Sequence, residues 1–346
     1  MLSLSDAGLA ISLKNVVKNP TKLILALAAA LPSSAVLACA SCGCTLNSDF
    51  GSQGLSTTPG WSLDVRYDTL NQNQLRAGTG SISAANAAHA TNAATGGPAE
   101  VEKFTNNKYL TTTLDYSDGN TWGVSVVVPH IDRSHSTLGV GGDGVNPGDG
   151  AYDSNTAGLG DVRVLARYYG LSDSKNFGLQ LGLKLPTGQT TQTATDGVTA
   201  VDPGLQRGTG TTDAIIGAYY FDNLSQNWDY HVQSQFQTAL NSSTMAAGAY
   251  RPGNSVNFTA GLRYLGFESV TPTLQINARH VKTDSGVAAD TFATGGTLLY
   301  LTPGVIVPVT ATVALYSNLQ MPIYQNLKGI QLAPTKIFSI GARIAF

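Results

Sequence analysis

The sequence predicts an all-β protein, specifically a closed antiparallel transmembrane β-barrel of about 12 strands. The first observation is the C-terminal segment, where apolar residues alternate with polar or small ones: Phe338, Ile340, Ala342, Ile344 and Phe346. Strand side chains point to opposite faces with period two, so one face suits lipid and the other admits charge. The second is that only 12% of the 346 residues are charged while 38 are glycine, and apolar residues are dispersed in short alternating runs. The third is an N-terminal export signal.

The export signal defines the domain organisation. Lys14, Lys18 and Lys22 precede a run that is apolar from Leu23 to Ala38 except for a Pro-Ser-Ser break. A basic segment, a short apolar run and small residues are typical of a cleaved secretory signal, and the run is too short for a confident spanning helix. We therefore predict a signal peptide at 1–38, a periplasmic cysteine-containing segment at 39–60 and an outer-membrane barrel at 61–346.

The barrel strands follow in order. Trp61, Leu63, Val65 and Tyr67 alternate with polar residues and begin the first strand. Further alternating segments lie at 109–116, 122–128, 160–169, 177–186, 212–221, 228–240, 254–265, 271–282, 295–306, 311–322 and 336–346. Each segment approaches the length of about 9 to 11 residues that a tilted strand needs to cross a bilayer. Aromatic residues near the strand ends fit interfacial girdles.

The connections predict the orientation. Long, polar, glycine-rich stretches lie at 72–106, 130–159, 187–211, 241–253, 283–294 and 323–335, and they alternate with short turns such as 117–120. Long extracellular loops and short periplasmic turns are the usual outer-membrane arrangement, and an even strand count places both termini in the periplasm. Outer-membrane lipid is therefore the first expected partner.

The polar face of these strands would line the lumen. Its predicted lining residues are Asp64, Arg66, Asp68, Asp115, Asp161, Arg163, Arg167, Lys184, Arg263, Arg279 and Arg343. Such a mildly cationic wall would favour neutral or anionic solutes. Alternatively, acidic and basic residues of neighbouring strands pair and brace the barrel. Because about 8 strands are filled by side chains and 16 to 18 leave an open channel, this barrel is predicted to be narrow or plugged.

Several short runs resemble a known family. They are Gly158-Leu159-Gly160-Asp161-Val162-Arg163, Gly182-Leu183-Lys184-Leu185-Pro186-Thr187-Gly188, Gly208-Thr209-Gly210-Thr211-Thr212-Asp213, Tyr250-Arg251-Pro252-Gly253 and Leu301-Thr302-Pro303-Gly304. These runs look like the outer-membrane transporters named after the meta pathway of phenol degradation, over roughly 60–346. The resemblance implies a barrel and a transport role, and it carries over no binding residue. The solutes considered are small and hydrophobic, neutral or anionic. A terminal Phe346 closing an apolar face, with Phe338, Ile340 and Ile344, also resembles the signal read by the outer-membrane assembly machinery.

Three cysteines, Cys39, Cys42 and Cys44, lie within six residues. Three interpretations stay open: structural or incidental thiols with a local disulfide, a soft-metal site for Cu or Zn or a redox function, and lipidation of Cys39. A metal or redox motif in this tail would suit docking of a periplasmic partner.

Other functions have weaker support. The chain has a formal net charge of −2 and no basic cluster, so nucleic acid is not an expected partner. His130 and His135, with Asp132 and Ser134, offer a superficial catalytic set, but they are predicted to lie in one loop, so no enzyme is expected. The leading hypothesis is an outer-membrane channel or transporter for small solutes without a cofactor. The alternatives are a non-conducting structural or partner-docking barrel and a metal- or redox-linked envelope protein.

Overall fold

The computed structural model describes residues 59–346, and the predicted signal peptide and the three cysteines lie outside this range. Within it, eleven strands close into one antiparallel ring. The ring strands are β1 (Gly60–Gly78), β3 (Glu100–Ser117), β4 (Trp122–Val140), β6 (Arg163–Tyr168), β7 (Phe177–Lys184), β8 (Asp213–Ser225), β9 (Trp228–Ala239), β12 (Ser255–Tyr264), β13 (Thr271–Val281), β14 (Gly296–Pro308) and β15 (Val313–Ala345).

The remaining elements lie at the end of the barrel that carries the long connections. Strand β2 (Gly80–Ser81) pairs with β1, and β5 (Tyr152–Leu159) pairs with residues 130–137 of β4. A small separate hairpin joins β10 (Ser243–Met245) to β11 (Gly248–Tyr250). Helix α1 spans Ala84–Ala88, and a 3-10 helix spans Pro203–Leu205. Among the described residues, no helix is long and apolar enough to span a membrane.

Strand β15 folds back on itself, so the wall is crossed twelve times. Its first part pairs with β14 from Ala314 to Leu327, and its second part pairs with β1 as far as Ala345. The chain reverses at Gly329, whose φ of +62° is in the region that only glycine adopts readily. Gln325 Nε2 donates to Pro334 O at 2.8 Å across the two parts. The predicted twelve passes are confirmed, whereas the long loop predicted at 323–335 is wrong because strand continues on both sides of a tight turn.

The ring closes between the two ends of the described chain. Strands β1 and β15 pair in register from Ser62 opposite Ala345. Beyond that register, Trp61 N donates to Phe346 O at 3.0 Å and Phe346 N donates to Trp61 O at 2.9 Å. Closure satisfies backbone groups that would otherwise be exposed to lipid at an open edge.

An apolar band surrounds the outer face of the ring. Large side chains at alternate positions are exposed there, among them Leu181 (60%) and Ile216 (54%). Aromatic rings gather where the strands meet the short turns: Trp61 lies 5.0 Å from Tyr116 and Trp228 lies 4.9 Å from Tyr264, centroid to centroid. Such a band ending in an aromatic girdle is the lipid-facing surface of an outer-membrane barrel.

Three strands extend well beyond the apolar band, which corrects two predicted loops. Residues 72–78 continue β1, residues 100–108 begin β3, and residues 130–140 continue β4. The sequence resembles a loop there because the outward side chains become polar, as at Asn71, Lys108 and Asp132, once they leave hydrocarbon. Backbone pairing persists because neighbouring strands are equally long. Above the band, α1 contributes two alanines to a buried apolar cluster. The cluster contains Leu75, Ala87, Ala88, Ala99, Val101, Ile330 and Leu332.

Candidate functional site

The inward face of the ring is polar and closely packed. Inward residues alternate with the exposed apolar ones, and many are almost inaccessible: Arg167 is 2% exposed and His231 is 0% exposed. Side chains therefore fill much of the barrel interior around these residues.

Near the closure, β1 carries an inward row of charged residues. The Arg66 guanidinium contacts the Asp68 carboxylate at 2.9 Å, and Asp64 accepts a hydrogen bond from the Tyr316 hydroxyl at 2.9 Å. Arg343 stands opposite Asp64 in the register and donates to Ser62 Oγ at 3.2 Å. The sequence missed Tyr316, although its parity on β15 is that of an inward residue.

A second buried pair joins β3 to β6 across β4. Arg167 Nη2 lies 2.6 Å from Asp115 Oδ1, and both side chains are buried. Ser125 on β4 donates to Asp115 at 2.6 Å and accepts from Arg167 Nη1 at 3.1 Å. One inward residue from each of three neighbouring strands thus takes part in a single hydrogen-bonded network that connects the strands on the inner face of the wall.

A third group of buried charges lies at the short connection between β5 and β6. Lys184 Nζ is 3.0 Å from Asp161 and 3.2 Å from Asp213. Asp161 also accepts from the backbone N–H groups of Gly188 and Thr209, both at 3.0 Å. This network fixes both ends of the connection between β7 and β8. Asp213 was not predicted, although it lies at the inward parity of β8.

The remaining predicted residues lie on β6, β12 and β13. Arg263 contacts Asp229 with two donors, at 2.7 and 2.8 Å. Arg279 Nη1 donates to Asn257 at 3.3 Å. Arg163 is partly buried at the start of β6 and has an interaction partner. Acid and base pairs therefore account for most of the predicted lumen charges, as in the bracing alternative.

The connection between β7 and β8, residues 185–212, crosses into the barrel mouth, and we call it the inner loop. Arg133, an inward residue of β4, donates from Nη1 to Gly204 O at 3.4 Å and Gln206 O at 3.2 Å. The same guanidinium is held by Asn107 Oδ1 at 2.5 Å and the Tyr109 hydroxyl at 3.3 Å. The inner loop also buries Val201 and Leu205, each 3% exposed. Arg133 was not predicted because its strand was interpreted as a loop.

Beside the inner loop lies a cavity of about 70 Å³. Its lining includes five carboxyl groups together with apolar side chains of the inner loop, of the β13–β14 connection and of β15: Glu100, Glu102, Asp202, Asp284 and Asp290, with Leu205, Ala288, Ala293 and Ile330. Asp202 Oδ2 accepts from the Tyr152 hydroxyl at 2.7 Å. Asp284 accepts from the Tyr250 hydroxyl at 2.9 Å and from Gly253 N at 2.7 Å. The segments that line this acidic cavity are far apart in sequence, and they meet at the mouth of the barrel.

Two carboxyl groups of the cavity, Asp202 and Asp284, have raised pKa values. Burial raises the pKa of Asp284 to about 6, and the negative charge of Asp290 adds to the rise, against the hydrogen bonds from Gly253 and Tyr250. The Asp202 residue is exposed as a whole, but its carboxyl faces the cavity, where burial and then Asp290 raise its pKa. The arrangement therefore stabilises the neutral form of these two carboxyl groups relative to a carboxyl group in water.

Three other predictions can be placed. His130, Asp132 and Ser134 lie in β4 and not in a loop, so their interpretation as loop residues is wrong. Phe338, Ile340, Ile344 and Phe346 are all exposed on the outer face of the closing strand, and their role in assembly stays a prediction. The cysteines lie outside the described residues, and within 59–346 no group of three or more His, Cys, Asp or Glu has the geometry to hold a metal ion.

Comparison with solved structures supports the fold. The COG4313 outer membrane channel from Pseudomonas putida F1 is similar to this chain with a TM-score of 0.61 and 13% identity, covering 87% of this chain and 100% of the other. A FadL homologue from Pseudomonas aeruginosa has a TM-score of 0.42 and 8% identity over 88% and 99% of the two chains. The β domain of the Bordetella autotransporter BrkA has a TM-score of 0.45 and 14% identity over 83% and 100%. Only the first of these similarities is strong enough to bear on the fold.

No protein-family model and no curated protein matches this chain. The closed ring, the apolar band and the aromatic girdle nevertheless define the class: this is an integral β-barrel protein of the outer membrane. In that class the long connections generally face outward, and the acidic cavity lies at the end of this barrel that carries them.

Proposed function

We propose that this protein is a passive outer-membrane channel for small solutes, with the inner loop as its closing element. The observation that carries the proposal is the position of Arg133, which holds a connection inside the mouth by two carbonyl contacts while the wall itself is a complete polar-lined ring. The inner loop is held in the mouth by a small set of contacts, among them those of Arg133, the Tyr152–Asp202 hydrogen bond and the bond from Thr195 N to Asp153 O. Displacing it costs less than displacing a wall strand, whose whole ladder would have to break.

The lining favours neutral and anionic solutes. The charged groups are largely neutralised in pairs, and amide side chains occupy inward positions on neighbouring strands: Gln180, Gln233, Gln235, Gln275 and Asn277. Arg133 and Arg279 contact amides and carbonyls in place of carboxylates, leaving uncompensated positive charge on the path. Positive charge in a pore favours anions.

The test compares the wild type with a variant in which residues 190–206 are replaced by a short Gly-Ser linker. That deletion keeps Lys184 and Thr209 and so preserves the network at the base of the loop. In planar bilayers the variant should give larger and longer openings than the wild type. If neither protein conducts over a range of voltages and salts, the channel proposal fails.

The alternative is a non-conducting barrel. Its support is the near-complete burial of the braced pairs, with Arg167 2% exposed. A silent loop-deleted variant that still forms a folded, heat-modifiable barrel would favour this alternative.

Narrower assignments rest on the sequence alone. Membership in the meta-pathway transporter family, and with it hydrophobic solutes, is supported by the glycine-rich runs. Binding of Cu(I) or Zn by the cysteine tail predicts stoichiometric uptake that is lost when Cys42→Ser and Cys44→Ser are combined. A free-thiol count that shows a disulfide, with no metal bound, would dismiss it.

A further inference from the structure

The acidic cavity joins segments that must separate if the mouth opens. Glu100 and Glu102 belong to β3, Asp202 belongs to the inner loop, and Asp284 and Asp290 belong to the connection between β13 and β14. Among the described residues that line the cavity, none is Lys, Arg or His. The cavity therefore brings negative charge from three separate segments together without a lining cation.

Four of the five carboxyl groups also take part in holding their segments in place. Glu100 accepts from Thr137 Oγ1 at 2.7 Å, and Glu102 accepts from Leu332 N at 3.2 Å. Asp202 is held by Tyr152 on β5, and Asp284 by Tyr250 on β11. Behind this layer, Arg133 contacts the inner loop at Gly204 and Gln206, and the His135 ring lies 5.5 Å from the Tyr152 ring. Asp290 adds its charge from the β13–β14 connection, and Asp153 on β5 acts on His135 from the far side of that layer.

From this placement we propose that closing of the mouth is coupled to proton uptake by the acidic cavity: the inner loop and the β13–β14 connection stay together when its carboxyl groups are neutral and separate when they ionise. The proposal rests on the proposed function, in which the inner loop moves. Like charges confined in a small, partly dehydrated space repel, and separating the segments returns each carboxylate to water.

The direction follows from linkage. In the closed arrangement the pKa of Asp284 is raised to about 6, whereas in an open mouth the carboxyl would return toward its ordinary value of 3.8. The closed form therefore binds more protons, its extra stability is fully present below the open-state pKa, and it is lost as the pH rises through about 6. With a closed-state pKa of about 6 and an open-state pKa of 3.8, Asp284 alone gives a roughly 60-fold fall in the closed-to-open ratio between pH 4 and pH 8.

The experiment measures the mouth directly, independently of conduction. Val198 on the inner loop and Val287 on the β13–β14 connection are each 84% exposed, so both accept a spin label without disturbing the closed arrangement. The labels are placed in the full chain after its three cysteines are changed to serine, in lipid nanodiscs with EDTA. Double electron–electron resonance should give one narrow distance at pH 4 and a broad, longer distribution at pH 8, with the transition near pH 6.

Two variants make the test specific. Asp202→Asn combined with Asp284→Asn removes two of the negative charges and, like a protonated carboxyl group, leaves each side chain one acceptor oxygen and one donor that can face a tyrosine hydroxyl. The narrow distance should therefore persist at pH 8. Asp173→Asn, an exposed carboxyl in a turn at the opposite end of the barrel, should leave the transition unchanged.

Three results would overturn the proposal: a distance that does not change with pH, a transition that survives the double variant, or a mouth that responds in EDTA only after Mg²⁺ is added. The last would make the cavity a cation site instead of a proton-linked one. Because the distance is measured without solute flow, a barrel that never conducts would sink the proposed function and leave this measurement interpretable.

Discussion

Removing the Arg133 guanidinium should open the mouth. In the closed arrangement Nη1 contacts two inner-loop carbonyls, at 3.4 Å to Gly204 and 3.2 Å to Gln206. Hydrogen bonds from a charged donor contribute roughly 1.5–3 kcal/mol each at good geometry, and these two are long and share one nitrogen. We therefore assign about 2 kcal/mol to the pair together, below two independent bonds. Since about 1.4 kcal/mol is a factor of ten, Arg133→Ala should raise the open-to-closed ratio roughly 30-fold.

Single-channel recording in planar bilayers measures this ratio as the open probability at low voltage. Arg279→Ala is the matched control, because it removes an inward guanidinium whose hydrogen bond goes to Asn257 in the wall. The control should change ion selectivity slightly and leave the open probability near that of the wild type. Folding of each protein is checked by its heat-dependent shift in gel mobility. If folded Arg133→Ala has the same open probability as the wild type, the role assigned to Arg133 is refuted.

Three further predictions concern the wall. Asp115→Asn leaves Arg167 buried without its carboxylate partner, so the free energy of unfolding should fall by about 3–5 kcal/mol. Urea titration in lipid vesicles measures this change. A loss below ~1 kcal/mol would mean that Ser125 or water compensates for the missing carboxylate. Gly341→Ala should cost about 1–3 kcal/mol in the same titration, because a Cβ there would meet the Tyr316 ring at 2.3 Å, and a neutral result would show that the ring moves freely. Leu181→Arg should destabilise by about 2–4 kcal/mol if that position contacts mid-membrane lipid, whereas an unchanged stability would place it in water.

Most of the ring could be predicted because its physical cause is local. A strand in this wall must alternate, and the apolar residues of Leu179, Leu181 and Leu183 show the alternation without any knowledge of their neighbours. The same rule failed above the membrane, where an outward Lys108 or Asp132 looks like a loop residue although the backbone is still paired.

The mouth could not be predicted because its contacts are not local. Glu100, Asp202 and Asp284 are separated by about a hundred and by eighty-odd positions, and no spacing rule relates them. Arg133 was within reach of the parity argument once β4 was extended, since it shares the inward phase of Ser125. Which carbonyls it would contact depends on the path of the inner loop, and a polar glycine-rich segment carries no period that would reveal that path.

Spin-label accessibility along β7 tests whether hydrocarbon contacts every second side chain of the closed wall. Nitroxides placed singly at 178 to 183 in vesicles, in protein without its native cysteines, would be probed with oxygen, which concentrates in lipid, and with a water-soluble nickel chelate. We expect high oxygen accessibility at Leu179, Leu181 and Leu183 and low oxygen accessibility at Gly178, Gln180 and Gly182. Accessibility to the nickel chelate at all six positions, or no alternation at all, would contradict it.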